Sequence, residues 1–225
     1  MLLNSSHLKS AYIKHRMINL TVPFNKNPDE WHCIHVAMDS VIKHFLKQTL
    51  SHSYLNALMN PKPQMWVWPF QAVRVLDDLG LYVKIFSKFS LNIFTNPEEF
   101  GKAVPEQYVK ITHFPGLKES VYYVSSKGLY EHKTLSLENL EEFLHKGALV
   151  ILMLGSKSHL GKYVTLTGYN SKSFYYHDSG PTEAKAHKEI PKEKLLELWT
   201  NEPSNNMAIV VYGKKFGNTY SRFNF

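Results

Sequence analysis

The sequence holds a single cysteine, Cys33, in 225 residues. An internal disulfide is therefore excluded. No apolar run approaches the roughly 20 residues that a membrane-spanning helix needs; the longest candidate, Ala148 to Leu154, has the length of a strand. The amino terminus, Met1-Leu2-Leu3-Asn4-Ser5-Ser6, lacks an apolar core of signal-peptide length. A cytoplasmic location is expected, with export by a signal-peptide-independent route left open. His32 and His35 stand close to Cys33, but no Cys-x-x-Cys or His-Glu-x-x-His pattern supplies further ligands, so no metal is expected. A glycine-rich phosphate loop, internal repeats and low-complexity tracts are also missing, and no cofactor is expected.

What is present is ordinary for a soluble globular chain: 44% hydrophobic and 20% charged residues. The length allows one full-sized domain, or at most two small ones. No interdomain linker is visible, and one domain is the economical reading. A formal charge of +7, from 26 Lys+Arg against 19 Asp+Glu, could favour acidic partners, nucleic acid or an anionic membrane face. That charge is spread along the chain without a run of five like charges. No groove-reading motif accompanies it, so nucleic acid is not expected as a partner.

Residues 1–20 show no clear period and read as an arm. Val22-Pro23-Phe24 then leads into a polar loop, with Asp29 as a plausible cap for a helix that carries Cys33 in its first turn. Val36, Ala37, Val41, Ile42, Phe45 and Leu46 follow helical spacing. Further helices are expected at 54–59, from Pro69 to Gly80, at 96–100, from Ser136 to Gly147 and at 191–199. Strands are expected at 81–86, 108–112, 121–124, 129–132, 148–154 and 207–212. Asn139 stands where a capping box would place Glu or Gln. Residues 214–225 form a basic, aromatic tail. Helices come first and the main strands later, an order that argues for α+β.

Two chemical features emerge. Cys33 opens a helix, where backbone N–H groups and the helix dipole lower a thiol's pKa and favour a nucleophilic thiolate. A lone cysteine is equally at home as a small buried hydrophobe. The second feature is a pair of short strands. Lys162 to Tyr169 is rich in β-formers, Asn170 to Ser173 reads as a turn, and Phe174 to Asp178 returns. Such a hairpin brings Lys162 near Asp178. His177, next to Asp178 on one strand, should face away from it.

Taken together, Val22-Pro23-Phe24-Asn25-Lys26-Asn27, the helix opened by Cys33, and Gly161-Lys162-Tyr163-Val164-Thr165-Leu166-Thr167-Gly168-Tyr169 followed by His177-Asp178-Ser179-Gly180 resemble the papain-like cysteine peptidases that process double-glycine leader peptides of bacteriocins. The resemblance covers roughly residues 20 to 212. It implies a papain-like α+β fold over residues 21–213, with a helical first half carrying Cys33 and an antiparallel sheet in the second half. It also implies roles: Cys33 as nucleophile, Asn27 where that family has its oxyanion glutamine, and Asp178 as orienting carboxylate. Lys162 falls where the catalytic histidine belongs. Ile34-His35 replaces the Gly-Pro that follows the family's cysteine.

The altered positions divide the functional reading. A lysine beside Cys33 favours the thiolate by charge and can protonate a leaving amine. Taking a proton from water would require lowering a lysine's pKa by about three units from about 10.4. Asn27 is one methylene shorter than glutamine, and losing an oxyanion donor costs about 10²–10³ in rate. His159, in the loop before Lys162, is the alternative base. The leading expectation is a cysteine-peptidase-like protein in which the thiolate attacks a peptide amide, with impaired turnover. The alternatives are an inactive peptide-binding module and a basic protein that binds an anionic surface. A peptide or protein is the expected partner.

Overall fold

Proline-led helix starts and long runs of Val, Ile and Leu divide the labour between helices and sheet. The computed structural model describes residues 17–215 except 30, 60, 61, 63, 156–160, 182 and 203. In chain order the elements are β1 (Ile18–Asn19), α1 (Cys33–Leu46), α2 (His52–Met59), α3 (Pro69–Asp78), β2 (Leu81–Ser87), α4 (Pro97–Ala103), α5 (Glu106–Lys110), α6 (Phe114–Ser126), β3 (Tyr130–His132), α7 (Leu137–His145), β4 (Leu149–Leu154), β5 (Lys162–Tyr169), β6 (Ser173–Asp178), β7 (Lys185–Pro191), α8 (Lys192–Thr200) and β8 (Ala208–Lys214). A 3₁₀ turn spans Leu91–Phe94. This is a mixed α+β fold.

The strands form one sheet in the order β3-β2-β8-β4-β5-β6-β7, with β1 added against β5. Among the described strands of this sheet, β2 and β3 pair parallel and the other pairs are antiparallel. Strand β4 explains why the sheet centre is apolar throughout. Its alternate residues Leu149, Ile151 and Met153 enter a core shared with α1, α2, α3 and α6. The intervening Val150, Leu152 and Leu154 enter a second core with Leu140 and Leu144 of α7 and Leu195 and Trp199 of α8. Side chains alternate across a strand, so a strand covered by helices on both faces reads as a continuous apolar run. The edge strand β1 approaches β5 so closely that a Cβ at Gly168 would lie 2.1 Å from the Ile18 carbonyl oxygen.

The structure corrects several expected elements. The segment expected as a strand at 108–112 lies in α5 and the turn after it, because Pro105 sits at the N-cap and Glu106 in the first turn. The expected strand at 121–124 is the interior of α6, where Leu117, Val121 and Val124 recur at helical spacing and bury one stripe. Strand β7 is an addition to the expected set. Its sequence, Lys-Ala-His-Lys-Glu-Ile-Pro, is polar because it is an edge strand with only Ile190 buried. Asn139 completes the capping box: it accepts from Ser136 N at 3.0 Å while Ser136 Oγ accepts from Asn139 N at 3.3 Å. Asp29 does not cap α1. The N-cap is His32, with no side-chain capping bond. Asp29 Oδ1 instead accepts from the N–H groups of Trp31 (2.7 Å) and His32 (3.1 Å), forming a turn ahead of the helix.

Candidate functional site

Cys33 is the first residue of α1 and is 6% exposed, packed in the core between helices and sheet. Burial pushes its thiol pKa up. The main-chain N–H groups of Tyr163, Ile34 and Cys33 itself and the charge of Lys162 pull the other way without overcoming it. The lowered thiol pKa expected from the helix start is therefore corrected, because desolvation outweighs the helix N-terminus. The contact with Tyr163 shows that the start of β5 runs directly beside the thiol.

An aromatic group fixes that approach. Tyr163 Oη donates to the Val67 carbonyl at 2.9 Å, and its ring stacks on Trp66 with centroids 5.7 Å apart. Trp66 meets Tyr108 edge-on at 5.3 Å. Tyr108 Oη accepts from Gly161 N at 2.5 Å. A Cβ at Gly161 would stand 2.7 Å from the Leu154 carbonyl oxygen, so the chain can pass here only without a side chain.

On the sheet side, β5 and β6 pair antiparallel, with Thr165 opposite His177 and Leu166 opposite Tyr176. The turn between them is closed by Asn170 Oδ1, which accepts from Lys172 N (2.8 Å) and Ser173 N (2.7 Å). Lys162 Nζ donates to both oxygens of Asp178, at 2.8 and 2.7 Å. Asp178 is buried, its side chain only 3% exposed, whereas that of Lys162 is 46% exposed. A second ammonium, Lys188 from β7, reaches the same carboxylate at 3.1 Å. Burial pushes the Asp178 carboxyl up, but the bonds and charges of Lys162 and Lys188 outweigh it and hold it below the usual carboxylate range.

Asn27 is buried beside the same loop. Its N–H donates to Ser179 O at 2.9 Å, and its Nδ2 donates to Gly180 O at 3.3 Å. Its Oδ1 accepts from Asp29 N at 3.3 Å. The amide is thus engaged within loops, and no hydrogen bond joins it to Cys33 among the described residues. His177 faces away from Asp178, as strand alternation requires. It donates through Nε2 to Val22 O at 3.0 Å, and its Nδ1 accepts from His187 N at 3.2 Å. His159 lies outside the described residues.

The start of β5 therefore lies beside Cys33 and sets Lys162 on Asp178, while Asn27 bonds to Ser179 and Gly180, the two residues after Asp178. Sequence reasoning misses Lys188, because β7 has no apolar pattern to mark it. It also misses Tyr108, whose segment reads locally as a strand. The Pro105-Glu106 helix start is the available signal for Tyr108. Among the described residues no group of three or more His, Cys, Asp and Glu is arranged to hold a metal ion, and no helix is long and apolar enough to cross a membrane.

No family model matches the chain, and comparison with curated protein sequences yields no match. Solved structures are similar in fold. A C39-like peptidase structure from Bacillus anthracis superposes with a TM-score of 0.51 at 13% identity, covering 87% of this chain and 97% of that one. The peptidase domain of Streptococcus ComA, a bifunctional ABC transporter of a quorum-sensing pathway, gives a TM-score of 0.48 at 15% identity, covering 84% and 97%. The likeness to the first establishes a papain-like peptidase fold, as the opening motifs implied.

Proposed function

We propose that this chain is a peptide-binding module on a papain-like peptidase fold, with the hydrolytic step suppressed. The observation that carries the reading is the Lys162–Asp178 pair. In a Cys-His-Asp arrangement the carboxylate orients an imidazole, whose free nitrogen exchanges protons with the thiol and with water. Here the carboxylate binds two lysines directly. An ammonium has three N–H donors and no lone pair, so it offers no acceptor for the proton of water. Two further observations agree. The Asn27 amide is engaged by Gly180, and burial pushes the Cys33 thiol up. Lys162 stands for the family's histidine, and Asn27 for its glutamine, on the resemblance of the flanking motifs.

The experiment incubates the chain with a defined mixture of synthetic peptides, followed by gel filtration and mass spectrometry of both fractions. The expected result is co-elution of a subset of intact peptides, unchanged in Cys33→Ala. Cleavage products that form with the parent chain and vanish with Cys33→Ala would overturn the reading in favour of a working cysteine peptidase.

A further inference from the structure

Strand β7 is held at its bulge by a side chain. It pairs regularly with β6 from Ser173 opposite Pro191 to Tyr176 opposite Lys188, and again at Asp178 opposite Lys185, with a register shift in between. His177 falls within that shift. There the His187 N–H donates to the imidazole Nδ1 of His177 at 3.2 Å. His187 itself has a φ of +48°, in the left-handed region that is costly for a residue with a side chain. We propose that His177 is an acid-sensitive latch: its neutral imidazole holds β7 at the bulge and keeps Lys188 on Asp178, and its protonation releases both.

The two bonds of the ring define its protonation state. Nε2 lies 3.0 Å from the Val22 carbonyl oxygen and so carries a hydrogen. Nδ1 faces an N–H and so carries a lone pair. The ring is the neutral Nε2–H tautomer, with both nitrogens used. A proton added at Nδ1 would set N–H against N–H. The bond to His187 would be lost, and a cation would be left in a site where His177 is 4% exposed. Burial holds the His177 pKa below its ordinary value. The His187 imidazole, with its centroid 4.9 Å away, acts in the same direction, and the Val22 carbonyl opposes them. The latch is therefore closed at neutral pH and opens only as pH falls below the ordinary histidine range.

The bulge is coupled to the Lys162–Asp178 pair by one peptide unit. Lys188 follows His187 directly, and its Nζ lies 3.1 Å from the Asp178 carboxylate. As an edge strand with only Ile190 buried, β7 can open at His187 without uncovering a core. The other groups around the ring are accounted for. On β5, Thr165 stands opposite His177, and Thr167 Oγ1 lies 3.0 Å from His187 Nδ1. The Val22 segment brings the Phe24 ring, edge-on at 5.1 Å. That segment is bonded to α1 through Thr21 O to His44 and through Asn25 to Asp39, which Lys43 neutralises at 2.8 Å. On β6, Asp178 points to the opposite side, towards Lys162 and Lys188.

The test is NMR of the full chain, isotope-labelled, from neutral to acidic pH. At neutral pH the ring nitrogens of His177 should report the Nε2–H tautomer. On acidification Nδ1 should gain a proton. In the same step the exchange protection of the His187 amide should fall at least about tenfold, as expected for one lost hydrogen bond. The carboxyl carbon of Asp178 should shift with it, while amides of the central strand β4 keep their protection. His177→Gln offers one donor and one acceptor without titrating in this range, and should keep His187 protected throughout. His35→Gln should leave the wild-type response in place. A His177 cation with the His187 amide still protected would overturn the latch, as would opening at His187 without a shift at Asp178. A response that survives in His177→Gln or disappears in His35→Gln would overturn it too, and so would a His177 ring that stays neutral until β4 opens. If His177→Gln does not fold, the wild-type ring and amide signals decide alone.

Discussion

On the helical wall, Cys33 sits in the apolar core at the start of α1. On the sheet wall, Lys162 and Lys188 converge on one buried carboxylate. The helical wall holds a buried thiol whose pKa desolvation pushes up. The sheet wall holds a charge cluster, one buried carboxylate shared by two ammonium groups. The difference teaches that one fold can set an uncharged apolar wall and a charged one side by side at the start of β5. Changing the residue at 162 costs the fold little, because that position opens a strand with its side chain half in solvent. The aromatic contacts of Tyr163 and the passage at Gly161 hold β5 against α1 whichever side chain stands between them.

Three experiments bear on this contrast, taken from the largest expected effect to the smallest. The first addresses the helical wall. Iodoacetamide should alkylate Cys33 on the order of 100-fold or more slower in the native chain than in the urea-unfolded chain at neutral pH, since burial both covers the thiol and raises its pKa. Alkylation as fast as that of the unfolded chain would mean that the helical wall presents a reactive thiolate.

The second concerns pH. Burial lowers the His35 pKa from 6.5 to about 4. Between those values the unfolded chain binds a proton that the native chain refuses. Stability is therefore complete above about pH 6.5 and is lost as pH falls towards 4, by about 3 kcal/mol from this one group. Urea midpoints measured across that window should fall with acid, and His35→Gln should flatten the slope. An unchanged slope in the variant would remove His35 from the account. Asp178, held below its ordinary value, adds a further loss only at still lower pH.

The third concerns the sheet wall. Asp178→Asn should cost about 2 kcal/mol, less than a fully buried pair because both lysines reach solvent, whereas Lys162→Met should cost under about 1 kcal/mol. Equal losses in the two variants would show that Lys188 contributes nothing to holding the carboxylate.

Much of this architecture can be read from the chain. The helix from Cys33, the Pro69 helix and the continuous apolar run of β4 follow from spacing and length alone, and the Lys162–Asp178 approach follows from a hairpin with an Asn170 turn. The elements that escape do so for physical reasons. Val121 and Val124 favour strands locally, but the neighbouring Leu117 completes a helical stripe that tertiary packing rewards. The polar edge strand β7 carries almost no apolar signal, and Lys188 escapes with it. The reversal of the Cys33 pKa is also hidden. Position in a helix can be read from sequence, but depth of burial depends on Tyr163, Trp66 and Val67, which come from distant segments. The contacts of Asn56 with His32 and His35 are hidden for the same reason, since Asn56 arrives from α2.

The central claim, that Lys162 on Asp178 withholds the base, is tested most directly by one comparison of steady-state hydrolysis. The wild type, Cys33→Ala, Lys162→His and Lys162→His/Cys33→Ala are assayed side by side on a single p-nitrophenyl ester of an acetylated amino acid. The account predicts a wild-type rate equal to that of Cys33→Ala. It predicts a gain of about 10²-fold in Lys162→His, the lower end of general acid–base catalysis, because the Asn27 amide remains engaged. That gain should vanish in the double variant. Wild-type hydrolysis that depends on Cys33 and matches Lys162→His would contradict the claim.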